Sequence, residues 1–335
     1  MKAIGFKTSH DIEHEQSLIE EQIEKPSAKD YDLIIEVKAA SINPIDLKVR
    51  SKSSLDKTME QIKVLGYDGL GIIEALGDKV EGFQIGERVF YAGDVTKNGS
   101  NAQYQKIDSR IVAKAPKSLS DAQAVVLPLT SLTAWEAMFH RMNINKDENK
   151  TILIIGGAGG VASIAIQLIK IRTNLTVITT ASRQESKTWC KSMGADYIVN
   201  HKDLIKEVKE AGFEQVDYIF NAADTSMHWN AMAELIAPQG KICLLVDASE
   251  PLDINKFKLK SVSINWESMF TRTMFKTEDL KQQQTILKHI SKLADEGKIK
   301  TTLNKTLKGF SVENIKEAHK LTQSGKNIGK IALTF

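Results

Sequence analysis

The chain has 335 residues, with 45 lysines and arginines against 42 aspartates and glutamates, a formal net charge of +3, and 42% hydrophobic and 26% charged residues. That length suits two domains rather than one core, and the balance is that of a globular protein, giving no electrostatic case for nucleic acid. The opening residues MKAIGFKTSHDIEHE hold no long apolar core, so no secretory leader is read, and two cysteines, Cys190 and Cys243, exclude a disulfide framework and point to a reducing cytoplasm.

From Met1 to about Gln123 the sequence is rich in strand and turn signals. HDIEH, His10 to His14, matches H-x-x-E-H, a zinc-protease pattern. That pattern needs a helix and a further ligand, whereas here it follows the first strand in a polar stretch and reads as a surface loop. Further on come SINPIDLKVR, GYDGLG, ALGDKVEGFQIGERVF and AGDVTKNGSNAQY, then PLTSLTAWEAM before a predicted helix.

Thr151 to Ile169, TILIIGGAGGVASIAIQLI, carries no charge and lies between Lys150 and Lys170. Its length admits a membrane span, but Gly156, Gly157, Gly159 and Gly160 would each cost a membrane helix about 1 kcal/mol of propensity. TILII is a β-branched run typical of a buried parallel strand, and VASIAIQLIK has helical spacing. The stretch therefore predicts strand, glycine turn, helix. Gly157 to Ala162, including Val161, fits G-x-G-x-x-G/A, in which glycines admit a pyrophosphate and the helix N-terminus supplies N–H groups. LTVITTAS, YIVN, VDYIFNAA and GKICLLV follow as strands separated by helices. This alternation predicts an α/β fold with a doubly wound Rossmann nucleotide domain.

An NAD-binding fold places an acid about 20 residues beyond the loop. Here Thr179 through Gln184 contain none. Ser182 and Arg183 stand there, with Lys187 one turn on, and a guanidinium suits a 2′-phosphate. NADP(H) is expected, the alternative being that Arg183 is a solvated helix-start residue. His201 lies either near that phosphate or on the surface. Asn221 and Val246 end strands of the nucleotide sheet, where ligands of such folds sit. The tail after about Ile264 ends in the strand KIALTF. In it Phe270 either closes a cleft or is a core aromatic, and Lys330 either reaches the cofactor or is solvated.

Gly77, Val80, Phe83, Gly86, Glu87, Arg88 and Val89 in fixed spacing, PLTSLTAWEAM, the glycine loop and SGKNIGKIAL together make the chain resemble the medium-chain dehydrogenase/reductase superfamily, in its zinc-free quinone oxidoreductase branch, whose members are often labelled zinc-type alcohol dehydrogenase-like. The resemblance covers nearly the whole chain. It implies a β-rich GroES-like catalytic domain from residues 1–123 and 265–335, a Rossmann domain over 124–264, and an active site in the cleft between them. Zinc members have a cysteine where Asn43 stands and a histidine where Tyr67 stands, and the loop for a structural zinc contains no cysteine here. Neither asparagine nor tyrosine makes a typical zinc site, so no metal is expected.

The resemblance places NPIDLKVR along the cleft floor. Asn43 would offer its amide to a substrate carbonyl, and Asp46 would hold the loop by local hydrogen bonds. Lys48 is a proton donor or a phosphate or substrate contact, and Arg50 belongs to the same pocket. Tyr67 is a phenolic donor or a ring packed beside the glycines. Thr130 would contact the nicotinamide end. The expected activity is zinc-free, NADPH-dependent hydride transfer to quinones or enone-type double bonds, with metal-free carbonyl reduction and cofactor sensing with little turnover as alternatives. The expected partners are a small-molecule substrate and a second copy, with no nucleic acid and no membrane. Lys241–Val246 is the candidate edge strand for a homodimer joined through the nucleotide domains.

Overall fold

Thr151–Ile155 is apolar and β-branched because it is an inner strand: Ile152, Leu153, Ile154 and Ile155 are all fully buried. The structure, a computed structural model, describes residues 1–54 and 57–335. They form two compact units, Thr130–Met269 and Met1–Leu129 with Phe270–Phe335.

The Thr130–Met269 unit carries a six-stranded parallel sheet. Its order is Tyr197–Val199, Thr176–Thr180, Thr151–Ile155, Val216–Asn221, Ile236–Leu244 and Ser263–Trp266. The chain order reverses beside Thr151–Ile155, the switch point at which doubly wound folds bind ligands. Leu153, Ile178, Ile219 and Ile242 form a core with Trp229, Met232 and Leu235 of the helix Thr225–Leu235. Each such side chain contributes about 1.5–3 kcal/mol by leaving water. The uncharged stretch is strand, turn and the helix Gly160–Arg172, and among the described residues no helix is long and apolar enough to cross a membrane.

The expectation that Lys241–Val246 is an edge is overturned. Its strand pairs with Val216–Asn221 on one side and with Ser263–Trp266 on the other. The apolar run reflects burial on an inner strand, and the sheet ends on this side in the shorter Ser263–Trp266 and on the other in Tyr197–Val199.

In the other unit a seven-stranded sheet is built around Asp32–Ser41, which pairs antiparallel with Asp68–Leu76, with Tyr104–Asp108 and with the final strand Lys330–Thr334. Leu33 and Ile35, two apart and so on one face, enter a core with Ile73, Val89, Tyr91 and Ile107. The helix Asp121–Val125, close to the expected domain boundary, packs on Asp32–Ser41 and the final strand. That packing carries this unit past residue 123 to Leu129.

Candidate active site

The helix Pro44–Lys52 opens on proline, at a position whose N–H has no intrahelical partner to lose. The Asn43 backbone N–H donates to Asp46 Oδ2 at 2.8 Å, and the Gly66 N–H donates to Asp46 Oδ1 at 2.7 Å. Asp46 thereby joins the helix start to the turn entering the strand Asp68–Leu76. Burial pushes its carboxyl up to about 7, against the lowering effect of those two N–H groups. Gly66 has φ of +98°, and a Cβ there would lie 2.5 Å from Ser100 Oγ. Only glycine makes this turn without strain, and the turn delivers Tyr67 and Asp68.

Asp68 is fully buried. Its Oδ1 accepts the Leu129 N–H at 2.8 Å, in the first turn of the helix Pro128–Trp135, where negative charge is favoured. Its Oδ2 accepts Asn43 Nδ2 at 2.8 Å. Lys330, 5% exposed, donates through Nζ to the Ile42 carbonyl at 2.6 Å and to Asn43 Oδ1 at 2.5 Å, and stands 3.4 Å from Asp68 Oδ2. Burial pushes Asp68 up and pulls Lys330 down, while their mutual attraction opposes both shifts.

The solvated reading of Lys330 is therefore corrected: its ammonium is buried and bonded to Ile42, Asn43 and Asp68. The Asn43 amide nitrogen donates to Asp68 and, at 3.4 Å, to the Ser41 carbonyl, and its oxygen accepts from Lys330. Asp68, the hub, was missed. Its only signal in the sequence was a carboxylate beside Tyr67 in GYDGLG.

Tyr67 is 1% exposed, its hydroxyl lies 3.5 Å from the Val95 carbonyl, and its ring meets Phe270 edge-on at 5.5 Å between centroids. Burial, then the charges of Asp46 and Asp94, push the phenol well above its ordinary value, so it stays protonated and able to donate. Lys48 is half-buried two residues past Asp46, off the face that Asp46 and Arg50 share. Arg50 lies apart from Tyr67 in role as well. It is 3% exposed, donates to the His10 carbonyl, and its charge bears on buried His319 of the helix Val312–Gln323. That bond braces the N-terminal loop. His10 and His14 stack in that loop, outside any long helix.

The nucleotide-side residues converge on the C-terminal ends of the parallel strands. Gly156 N–H donates to Thr180 Oγ1 at 2.9 Å, and Gly157 N–H to the Thr180 carbonyl at 3.1 Å. A Cβ at Gly157 would lie 2.1 Å from Thr179 Oγ1, so the loop can close down on this strand only with glycine. Gly159 caps the helix Gly160–Arg172 without any side-chain hydrogen bond, which leaves the first-turn N–H groups, Val161 included, for an anion. This cradle fits a dinucleotide pyrophosphate. Ser182 and Arg183 are exposed at the next strand end, and Lys187 N–H donates to the Arg183 carbonyl, putting the two cations one turn apart. The Ala181 N–H donates to the Val199 carbonyl, so His201 follows the neighbouring strand end; its ring stands 6.4 Å from that of His228. Asn221 Nδ2 donates to Thr225 Oγ1, which in turn donates to the Val246 carbonyl. Thr130 is 1% exposed in the Pro128–Trp135 helix.

A zinc-type alcohol dehydrogenase-like protein of Staphylococcus aureus (strain MSSA476) is 41% identical over 340 residues, covering 100% of this chain and 100% of that protein. The chain belongs to the medium-chain dehydrogenase/reductase superfamily. Within the superfamily, the alcohol dehydrogenase GroES-like domain matches residues 29–117 and the zinc-binding dehydrogenase family matches residues 193–333. The crystal structure of a provisionally assigned zinc-dependent alcohol dehydrogenase protein from Rhizobium etli CFN 42 is 44% identical, with a TM-score of 0.95, covering 100% of this chain and 98% of that one. The 2-methylene-furan-3-one reductase of Solanum lycopersicum is 27% identical over 324 residues, covering 94% of this chain and 74% of that protein. The fold is thus the superfamily's, with a Rossmann unit and a GroES-like unit. The zinc in these names does not fit the residues present. Asn43 and Tyr67 are poor donors, and the Asp68 carboxylate already holds the Lys330 ammonium, which would repel a second cation.

Proposed function

We propose that this protein is a zinc-independent, NADPH-dependent reductase of conjugated carbonyl compounds, enones and quinones. The observation that carries this reading is the buried Asn43–Asp68–Lys330 network beside a protonated Tyr67. Beside Asn43, where zinc members of the superfamily have a cysteine, stands the Lys330 ammonium with its hydrogen bonds made inside the protein. An unactivated alcohol is hard to oxidise without a Lewis acid. A conjugated carbonyl needs only a donor for the oxyanion that develops as its double bond is reduced, and the neutral Tyr67 hydroxyl is such a donor.

Gly156, Gly157, Gly159 and Gly160, with the helix that follows, would hold the dinucleotide pyrophosphate, and Ser182, Arg183 and Lys187 its 2′-phosphate; Thr130, His201, Asn221 and Val246 are the further contacts in this reading. When bound, the dinucleotide supplies hydride. The chain's own part is to orient the reacting carbonyl at Tyr67 against the Phe270 ring and to keep water from it. Lys48 is the candidate to relay the final proton. The relative from Solanum lycopersicum supports the reading, since its name describes reduction of a ketone conjugated to a methylene group. The free buried thiols of Cys190 and Cys243 suit a reducing cytoplasm.

The test is an NADPH-oxidation screen over enones, quinones and simple aldehydes, with elemental analysis of the same preparation. Saturable turnover of enones or quinones by protein lacking stoichiometric zinc is expected. Aldehyde reduction alone, tight NADPH binding without turnover, or activity lost with zinc on chelation would each overturn it.

A further inference from the structure

The short helix Thr271–Phe275 starts from Phe270, the ring that packs on Tyr67. The Met274 N–H donates to the Phe270 carbonyl at 2.9 Å, so Met274 stands one turn beyond Phe270 on the same face. Exposure rises along this row, from 1% at Tyr67 and 6% at Phe270 to 47% at Met274, and Phe275, next to Met274 in sequence, is 73% exposed. Two adjacent large apolar side chains in water oppose the hydrophobic effect, and hydrogen bonds tie down the segment on either side of them. Arg272 Nε at 2.9 Å and Nη2 at 2.8 Å converge on a single oxygen, Oδ2, of Asp279. Thr277 Oγ1 donates to Asp279 Oδ1 at 2.7 Å, and Thr273 Oγ1 to the Phe270 carbonyl at 3.0 Å. Lys276 then ends the helix with φ of +49°, a left-handed conformation uncommon for a residue with a side chain. The patch is small and bordered by exposed Lys276, Glu278 and Asp279. Two side chains fall far short of the roughly 1,200 Å² of a stable protein interface, but they match a short alkyl chain.

We propose that Met274 and Phe275 form an apolar entrance that selects substrates whose conjugated carbonyl bears an apolar tail. The head lies at Tyr67, and the tail runs outward over Phe270 to Met274 and Phe275. The proposal rests on reading Tyr67 as the donor to a conjugated carbonyl.

Its test compares vinyl ketones with methyl, butyl and heptyl tails in NADPH-coupled assays, and measures by calorimetry the binding of the corresponding saturated ketones. The wild-type kcat/KM is expected to rise about threefold for each tail methylene that contacts the row. Met274→Ser/Phe275→Ser should flatten this dependence at least tenfold between methyl and heptyl, and Phe275→Leu should keep most of it. Tail-independent rates in the wild type, or an unchanged dependence in the double serine variant, would overturn the proposal. If no vinyl ketone is reduced, the reductase reading fails, and calorimetry still decides the entrance. Tail-dependent binding lost in the double variant upholds it, and tail-independent binding overturns it.

Discussion

Removing the Lys330 ammonium leaves Asp68 buried with no cation beside it. Breaking one partner of such a pair costs about 3–5 kcal/mol, so Lys330→Met should lose that much in denaturant unfolding. Asp68→Asn/Lys330→Met should recover more than half, because the pair acts as a unit. An additive double variant would show that the two do not share one network. His319 gives a pH signature. Burial first, and the Arg50 charge second, lower it from 6.5 to about 3. Between those values the unfolded chain binds a proton that the folded chain refuses, so this contribution is complete above pH 6.5 and lost as pH falls toward 3. Asp46, raised from 3.8 to about 7, acts oppositely, removing stability as pH rises through that window. His319→Leu should therefore gain on the order of 4 kcal/mol relative to wild type near pH 3 and little above pH 7, read from unfolding midpoints. An unchanged pH profile would show that His319 protonates freely in the folded state. None of this was legible in the sequence. Lys330 meets Asn43 across 287 positions, and the apolar run that follows this lysine gives no sign of which distant groups would receive its charge.

At the level of elements, the glycine loop was legible because its constraints are local: a β-branched run, glycines and helical spacing lie within twenty residues or so. The edge strand was not. The apolar run of Lys241–Val246 suggests an edge that needs covering, but inner strands are the apolar ones. The outer strand on that side, Ser-Ile-Asn-Trp at 263–266, is short and partly polar, as edges of sheets tend to be. The strand end at Ser182 and Arg183 carries the cofactor prediction. Arg183→Ala should weaken NADPH binding by about 1–3 kcal/mol and leave NADH nearly unchanged, measured by fluorescence titration. Equal losses for both cofactors would move the 2′-phosphate elsewhere.

For the whole molecule, a homodimer through the nucleotide units remains our proposal, with Ser263–Trp266 in place of the strand first expected. Trp266 is 52% exposed, and Leu259, 97% exposed, comes shortly before this strand in sequence. Sedimentation should show a dimer at micromolar concentration, and Leu259→Lys/Trp266→Lys should shift it to monomer; a dimer that survives both substitutions would place the interface elsewhere. The central claim is that hydride reaches a conjugated carbon while Tyr67 holds the oxygen. The direct measurement is NMR of the product formed from a vinyl ketone and NADPH deuterated at the transferring position. Deuterium on the carbon β to the carbonyl of a saturated ketone is predicted. Deuterium on the carbonyl carbon of an alcohol would contradict the account.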